Sequence, residues 1–97
     1  MVVIWTSSAS ENYLRAETSR AAEFSAAVDG ALCLLKVFPK MGTRVSGSAT
    51  LRRILVGKGR RYGLYYGLTP RRITVVALVD LRQDTASIDA IIRSRQP

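Results

Sequence analysis

The sequence contains no histidine and only one cysteine, Cys33. The missing histidine excludes the usual zinc-ligand sets, histidine-based nucleophile triads and the commonest general base. A lone cysteine can form neither an internal disulfide nor a cysteine metal site, which fits a reducing compartment. We therefore expect no metal site and no cofactor.

Acidic residues are also scarce, with 7 Asp and Glu against 15 Lys and Arg, for a net charge of +8. Between Asp29 and Asp80 there is no acidic residue at all. That segment carries Lys36, Lys40, Arg44, Arg52, Arg53, Lys58, Arg60, Arg61, Arg71 and Arg72. Because a segment of one sign produces a strong positive field, it favours a polyanionic or acidic partner over a basic surface that merely aids solubility.

Long apolar runs are missing as well. The N-terminal MVVIWTSS lacks a basic region, and its apolar run is too short for a signal peptide or for a span of ~20 residues. We expect a cytoplasmic protein with no membrane contact. The 97 residues, 47% of them hydrophobic, predict one folded domain over residues 1–97.

The segment from Leu51 to Arg82 predicts three consecutive strands joined by two basic turns. The strands are Leu51 to Val56, Tyr62 to Leu68 and Ile73 to Leu81. Glycines in the first turn and Pro70 in the second mark the breaks between them. The third strand is almost continuously apolar, which predicts a central strand covered on both faces.

Side-chain alternation predicts which residues share a face of each strand. Tyr62 and Tyr66 should lie on one face of the second strand and Tyr65 on the other, and all three are candidates for stacking on bases. On the third strand one face should carry Thr74, Val76, Leu78, Asp80 and Arg82. The last two would then form an ion pair at the rim of the sheet.

The N-terminal third predicts a short strand, Val2 to Trp5, followed by helix as far as Phe38. Ser8 and Glu11 fit the capping-box pattern. Thr18–Ser19 offers a second N-cap, so we expect the helix to break there into an antiparallel hairpin. An apolar stripe for packing on the sheet comprises Phe24, Val28, Ala31, Leu32 and Leu35. The opposite side holds Ala22, Ala26, Asp29 and Cys33, which would permit close approach of the first helix or of a partner.

Pro39 and Gly42 are expected to end the helical segment, with Gly42 in a positive-φ conformation. Residues 43–50 predict a loop. Asp84 or Thr85 can cap a short C-terminal helix, whose apolar face comprises Ile88, Ile91 and Ile92.

These elements predict an α+β fold: a small three- to four-stranded, mostly antiparallel sheet, an N-terminal helical hairpin on one face and a short C-terminal helix. We expect the other face to remain open for a partner and to present the cations as a cluster.

Four features together resemble the RelE/ParE superfamily of small toxins from type II toxin–antitoxin systems, over nearly the full chain. They are Val3-Ile4-Trp5-Thr6-Ser7, Leu35 with Phe38-Pro39-Lys40-Met41-Gly42, Leu51-Arg52-Arg53-Ile54-Leu55-Val56, and Tyr62-Gly63-Leu64-Tyr65-Tyr66 before Ile73-Thr74-Val75-Val76-Ala77-Leu78-Val79.

The resemblance implies a growth-inhibiting toxin neutralised by a cognate antitoxin, whose acidic segment folds on binding. It implies operator DNA binding through the antitoxin alone, and a homodimer or a heterotetramer with the antitoxin as the assembly. ParE-like members act on DNA gyrase without nuclease chemistry, whereas RelE-like members cut messenger RNA on the ribosome. A third reading is an inert relic that binds antitoxin or nucleic acid.

Departures from the nuclease pattern favour the ParE-like branch. Gly63 stands where the RelE-like nucleases usually have arginine. Asp80 and Asp89 stand near the places where those nucleases have a histidine or a C-terminal tyrosine. Cleavage by a ribose 2′-hydroxyl needs a proton acceptor, which arginine does not supply. Target-binding candidates are Arg52, Arg53, Lys58, Arg60, Arg61 and Arg82. Of these, Arg61 and Arg82 are also the candidates for stabilising phosphate charge in catalysis.

Overall fold

A computed structural model describes residues 2–45, 48, 50–57, 59 and 61–95, with side chains for all of these except 16–24. The described residues form five strands and two α-helices. In chain order these are β1 (Val2–Trp5), α1 (Ser7–Val37), β2 (Thr43–Arg44), β3 (Leu51–Val56), β4 (Tyr62–Thr69), β5 (Arg72–Asp80) and α2 (Thr85–Ser94).

The strands form one mixed sheet in the order β1-β5-β4-β3-β2. The predicted meander of β3, β4 and β5 is present, with antiparallel pairing at both junctions. β1 pairs with β5 in parallel, because α1 carries the chain across the sheet before the meander returns to β1. The expected sheet of three or four strands is thus extended to five. The addition is β2, which pairs Thr43 with Arg53 inside the segment predicted as a loop.

α1 differs from the predicted helical hairpin, because it is one continuous helix of 31 residues. No glycine or proline occurs between Ser7 and Asp29, so this stretch lacks the residues that most often end a helix. The helix begins earlier than predicted, since Thr6 is its N-cap and accepts from the Ala9 amide at 3.1 Å. It is nonetheless bent. The Tyr13 hydroxyl hydrogen-bonds Ser25, although a straight helix would separate their Cα atoms by about 18 Å.

The predicted apolar stripe of α1 packs on one face of the sheet. Val28 and Leu35 are buried there with Ile54, Leu64 and Ile73, and Ala31 and Leu32 pack at the margin. Phe24 and Ala22 lie outside the described side chains. Phe38 ends the helix as expected, and its amide donates to the Leu34 carbonyl at 2.7 Å.

The second face of the sheet is not left open as predicted, because α2 covers part of it. Ile92 is buried there against Tyr65, Val76 and Val79, while Ile88 and Ile91 pack at its margin. Asp84 caps α2, as the sequence predicted, by accepting from the Ser87 amide at 2.7 Å. The β3 side of this face remains accessible, since Leu55 is 40% exposed.

A β-bulge changes the predicted alternation of β5. The register with β4 shifts between Tyr65 and Tyr66, which pair with Ala77 and Val75 respectively and leave Val76 as the extra residue. Val76 therefore packs on the second face, whereas Leu78 packs on the first. The prediction that Thr74 to Arg82 share a single face is wrong. One inserted residue turns the side chains that follow it to the opposite face of the sheet.

No helix among the described residues has the length and apolar character needed to cross a membrane.

Candidate functional site

Two of the predicted arginines, Arg61 and Arg82, lie at the same end of the sheet. Arg61 precedes β4 and Arg82 follows β5, and the Leu81 amide donates to the Arg61 carbonyl at 2.8 Å, which extends the ladder beyond the strands. We call this region, with the adjoining groove described below, the arginine end. The glycines of the turn that leads into it have positive φ, 91° at Gly57 and 72° at Gly59, so the tight turn requires them.

Asp80 and Arg82 form the ion pair that the sequence predicted. Arg82 Nη2 lies 2.7 Å from Asp80 Oδ2, its Nε contacts both carboxylate oxygens, and its backbone amide donates to Oδ1 at 2.9 Å. These bonds to Asp80 raise the pKa of Arg82. The side chain of Arg82 remains 63% exposed, so its outer surface can still contact a partner.

A groove of about 310 Å³ adjoins these residues, between the N-terminal part of α1, the end of β5 and α2. Arg15 and Arg95 contribute positive charge to its wall, beside Tyr62 and Asp80. The groove exists because β1 pairs with β5 only as far as Val75. Beyond that point, no strand among the described residues pairs with this edge of β5.

Side chains replace the missing strand along this edge. Asn12 Oδ1 accepts from the Leu78 amide at 3.4 Å and also from Arg95 Nη1. Arg95 Nη1 in turn lies 3.4 Å from the Val76 carbonyl. Asn12, Arg15 and Arg95 were not predicted as site residues. Their proximity depends on pairing between distant segments, which no local pattern reports.

Arg52 and Arg53 do not join this site, so these predicted cations are not gathered in the single cluster that we expected. Arg52 Nη1 donates to the Lys40 and Gly42 carbonyls at 3.2 and 2.8 Å and thereby holds the α1–β2 connection. Arg53 lies in the middle of β3 beside Gly63. Alternation along β3 puts these two neighbours on opposite faces. Lys58 and Arg60 lie outside the described residues.

The three tyrosines proposed for stacking are all buried. Tyr62 and Tyr66 pack on the α1 face and Tyr65 packs on the α2 face, as alternation predicted. Their exposed fractions are 8%, 0% and 3%, so none presents an open ring to a base. None of the three tyrosine rings is therefore accessible for stacking on a base in this conformation.

Tyr66 instead fastens the α1–β2 connection. Its hydroxyl donates to the Pro39 carbonyl at 2.8 Å and accepts from the Gly42 amide at 3.0 Å. Burial raises the pKa of Tyr66, against the opposing effects of the Gly42 amide and Arg52. Gly42 lacks the positive φ that we expected. A Cβ there would lie 2.5 Å from the Tyr66 hydroxyl oxygen, so close packing is the reason for this glycine.

No known protein-family profile matches the chain, and no curated protein is significantly similar to it.

Proposed function

We propose that this chain is the toxin component of a type II toxin–antitoxin module that inhibits growth by binding a macromolecular target, as ParE-like toxins act on DNA gyrase. The observation that carries the proposal is the arginine end. Arg15 and Arg95 line the groove there, and Arg61 and Arg82 lie on the strand ends next to its lining residues Tyr62 and Asp80. Positive charge of this kind attracts acidic or phosphate-bearing partners. The cationic sheet face that the sequence predicted does not add support, because α2 covers part of that face.

The two carboxylates on either side of Arg82 in the sequence, Asp80 and Asp84, support binding rather than proton transfer. Asp80 is engaged by Arg82 through several hydrogen bonds. Asp84 caps α2, and hydrogen bonds from Ser87 lower its pKa. A catalytic base for 2′-hydroxyl attack works best with a pKa near the working pH. The pKa of Asp84 is shifted away from that range. Both carboxylates are already engaged in structural hydrogen bonds.

The experiment is controlled expression of the chain in a bacterial host that lacks any matching antitoxin. We expect growth to stop after induction, plasmid DNA to lose negative supercoils, and messenger RNA to remain intact by primer extension. Expression of the same gene with an early stop codon is the control.

Two outcomes would contradict the proposal in different ways. Cuts at fixed codon positions in translated messages would replace the binding mechanism with RelE-like cleavage. Undisturbed growth at a verified level of folded protein would favour the inert alternative.

A further inference from the structure

The groove at the arginine end has a lining that is rich in hydrogen-bond donors. Its volume of about 310 Å³ lies at the small end of the range for ligand pockets, which is about 300–1,000 Å³. Long donor-bearing side chains reach it from α1, from the turn that follows β5 and from the end of α2: Asn12, Arg15, Gln83 and Arg95. A concave site of this size fits a small molecule or one group of a larger molecule.

Arg95 is held on one side of its guanidinium and offers a pair of donors on the other. Its Nη1 atom donates to Asn12 Oδ1 and lies 3.4 Å from the Val76 carbonyl oxygen. Both contacts use Nη1, and Nε and Nη2 make no hydrogen bond within the described part of the chain. The N–H bonds of Nε and Nη2 run parallel, which is the geometry that binds two oxygens of a phosphate or a carboxylate. Because Arg95 is fixed before binding, it loses little conformational entropy when a ligand arrives.

Asn12 and Arg15 are three residues apart on α1 and therefore lie on the same side of that helix. Asn12 Oδ1 accepts from both the Leu78 amide and Arg95, which leaves the Nδ2 group of Asn12 as a donor. Arg15 is exposed and makes no hydrogen bond or ion pair with any described residue. Its whole guanidinium is therefore available to a ligand in the groove.

The charge of the groove favours a ligand with two negative charges. Arg15 and Arg95 each contribute one positive charge. Asp80 is the single acidic residue among the described residues of the lining, and its carboxylate is balanced by Arg82 at 2.7 Å. Acidic residues on the neighbouring parts of α1, of α2 and of its cap are exposed and lie outside the lining: Glu11, Asp84 and Asp89. The two uncompensated arginines thus set the charge that a ligand meets.

We propose that the groove is a binding site for a phosphomonoester group. Such a group carries a charge of about −1.5 to −2 at pH 7 and has three strong acceptor oxygens. It matches both guanidinium groups and the amides of Asn12 and Gln83, whereas a carboxylate has a single charge and two oxygens. Two sources supply a phosphomonoester: a small phosphorylated molecule and the 5′-phosphate end of a nucleic-acid strand.

Occupancy of the groove would also lower the positive charge of the arginine end. In the toxin proposed above, the bound phosphomonoester would therefore weaken binding of the target. That consequence rests on the proposed function, whereas the binding site itself does not.

The test is isothermal titration calorimetry of the full chain with phenyl phosphate. Methyl phenyl phosphate is the matched ligand control, because its second ester removes one negative charge and keeps the ring. We expect a Kd of about 1 mM or tighter for the monoester and affinity at least about tenfold weaker for the diester. A 5′-phosphorylated trinucleotide then separates the two sources. Tighter binding than phenyl phosphate assigns the site to a strand end, and weaker binding assigns it to small phosphorylated molecules.

Arg15→Ala should weaken binding of phenyl phosphate by on the order of tenfold or more, because hydrogen bonds between charged groups are lost. The same change should leave the stability of the fold unaltered, since Arg15 has no partner among the described residues. Arg93→Ala is the matched control. It removes an exposed arginine of α2 that is not part of the lining, and it should change the affinity by less than about twofold.

Nuclear magnetic resonance spectra supply a second readout, in which the side-chain amide signals of Asn12 and Gln83 should shift on addition of phenyl phosphate. Equal affinity for the monoester and the diester would overturn the proposal, as would equal losses in Arg15→Ala and Arg93→Ala. Amide shifts confined to other parts of the chain, or no binding at roughly 10 mM phenyl phosphate, would do the same.

Growth measurements separate this inference from the proposed function. A chain that binds phenyl phosphate through Arg15 but never arrests growth would refute the toxin assignment and leave the binding site standing. A chain that arrests growth but does not bind phenyl phosphate would do the reverse.

Discussion

Replacing Tyr66 with phenylalanine should destabilise the fold through the loss of two hydrogen bonds and no carbon atoms. The hydroxyl bonds the Pro39 carbonyl and the Gly42 amide at 2.8 and 3.0 Å. A buried group left without its partner costs about 1–3 kcal/mol. Gly42 is buried and bears this penalty, whereas Pro39 is half-buried and its carbonyl can recruit water. We expect a loss of about 2–3 kcal/mol in the free energy of unfolding.

Urea unfolding of both proteins measures this loss, with circular dichroism as the signal and Trp5, the only tryptophan, as a fluorescent reporter. For a domain of this size the change should also lower Tm by roughly 10–20 °C. Tyr65→Phe is the control. Tyr65 is equally buried in the same strand, but no hydrogen bond from its hydroxyl occurs in the described part of the chain, so its loss should stay within about 0.5 kcal/mol. Equal stability of the two variants would refute the role given to the Tyr66 hydroxyl.

The remaining predictions concern two glycines and one cap. Gly42→Ala should destabilise by about 2 kcal/mol or more, because its Cβ would displace the Tyr66 ring, whereas Gly30→Ala should stabilise by about 0.5–1 kcal/mol, since the added methyl meets no neighbour in a helix. Thermal unfolding would contradict this pair if both changes had the same sign. Asp84→Ala should lower Tm at neutral pH by removing the α2 cap. The pKa of Asp84 is lowered in the fold, so its contribution is present above about pH 4 and lost as pH falls through the folded value. The difference from the wild-type protein should therefore shrink toward pH 2, and a difference independent of pH would contradict the cap.

Patterns confined to one segment predicted the fold well. β3 matches its predicted bounds, Asp84 caps α2, and Tyr62 and Tyr65 occupy opposite faces. Each of these depends on neighbours within a few residues, such as side-chain alternation or a cap three residues from its donor. The sequence carries this information locally.

The errors come from contacts between distant segments. Thr18 could serve as an N-cap, but without glycine or proline nearby the helix continues through it. The bulge at Val76 depends on how β4 pairs with β5, and the sequence of β5 alone does not predict it. The groove needs Asn12 and Arg95, which are 83 residues apart, to meet at the uncovered edge of β5. The net charge predicted a basic surface. Which arginines lie close together on it depends on the topology of the fold.

The assignment of target binding to the arginine end can be tested most directly with two variants that each lose two positive charges, at different ends of the sheet. Arg61→Ala combined with Arg82→Ala removes two positive charges from this end. Arg71→Ala combined with Arg72→Ala removes two from the opposite end of the sheet, where both side chains are exposed. Growth should be measured after induction of each folded variant. We predict that the first variant permits growth while the second arrests it as the wild-type chain does. Equal arrest by both variants would contradict the account.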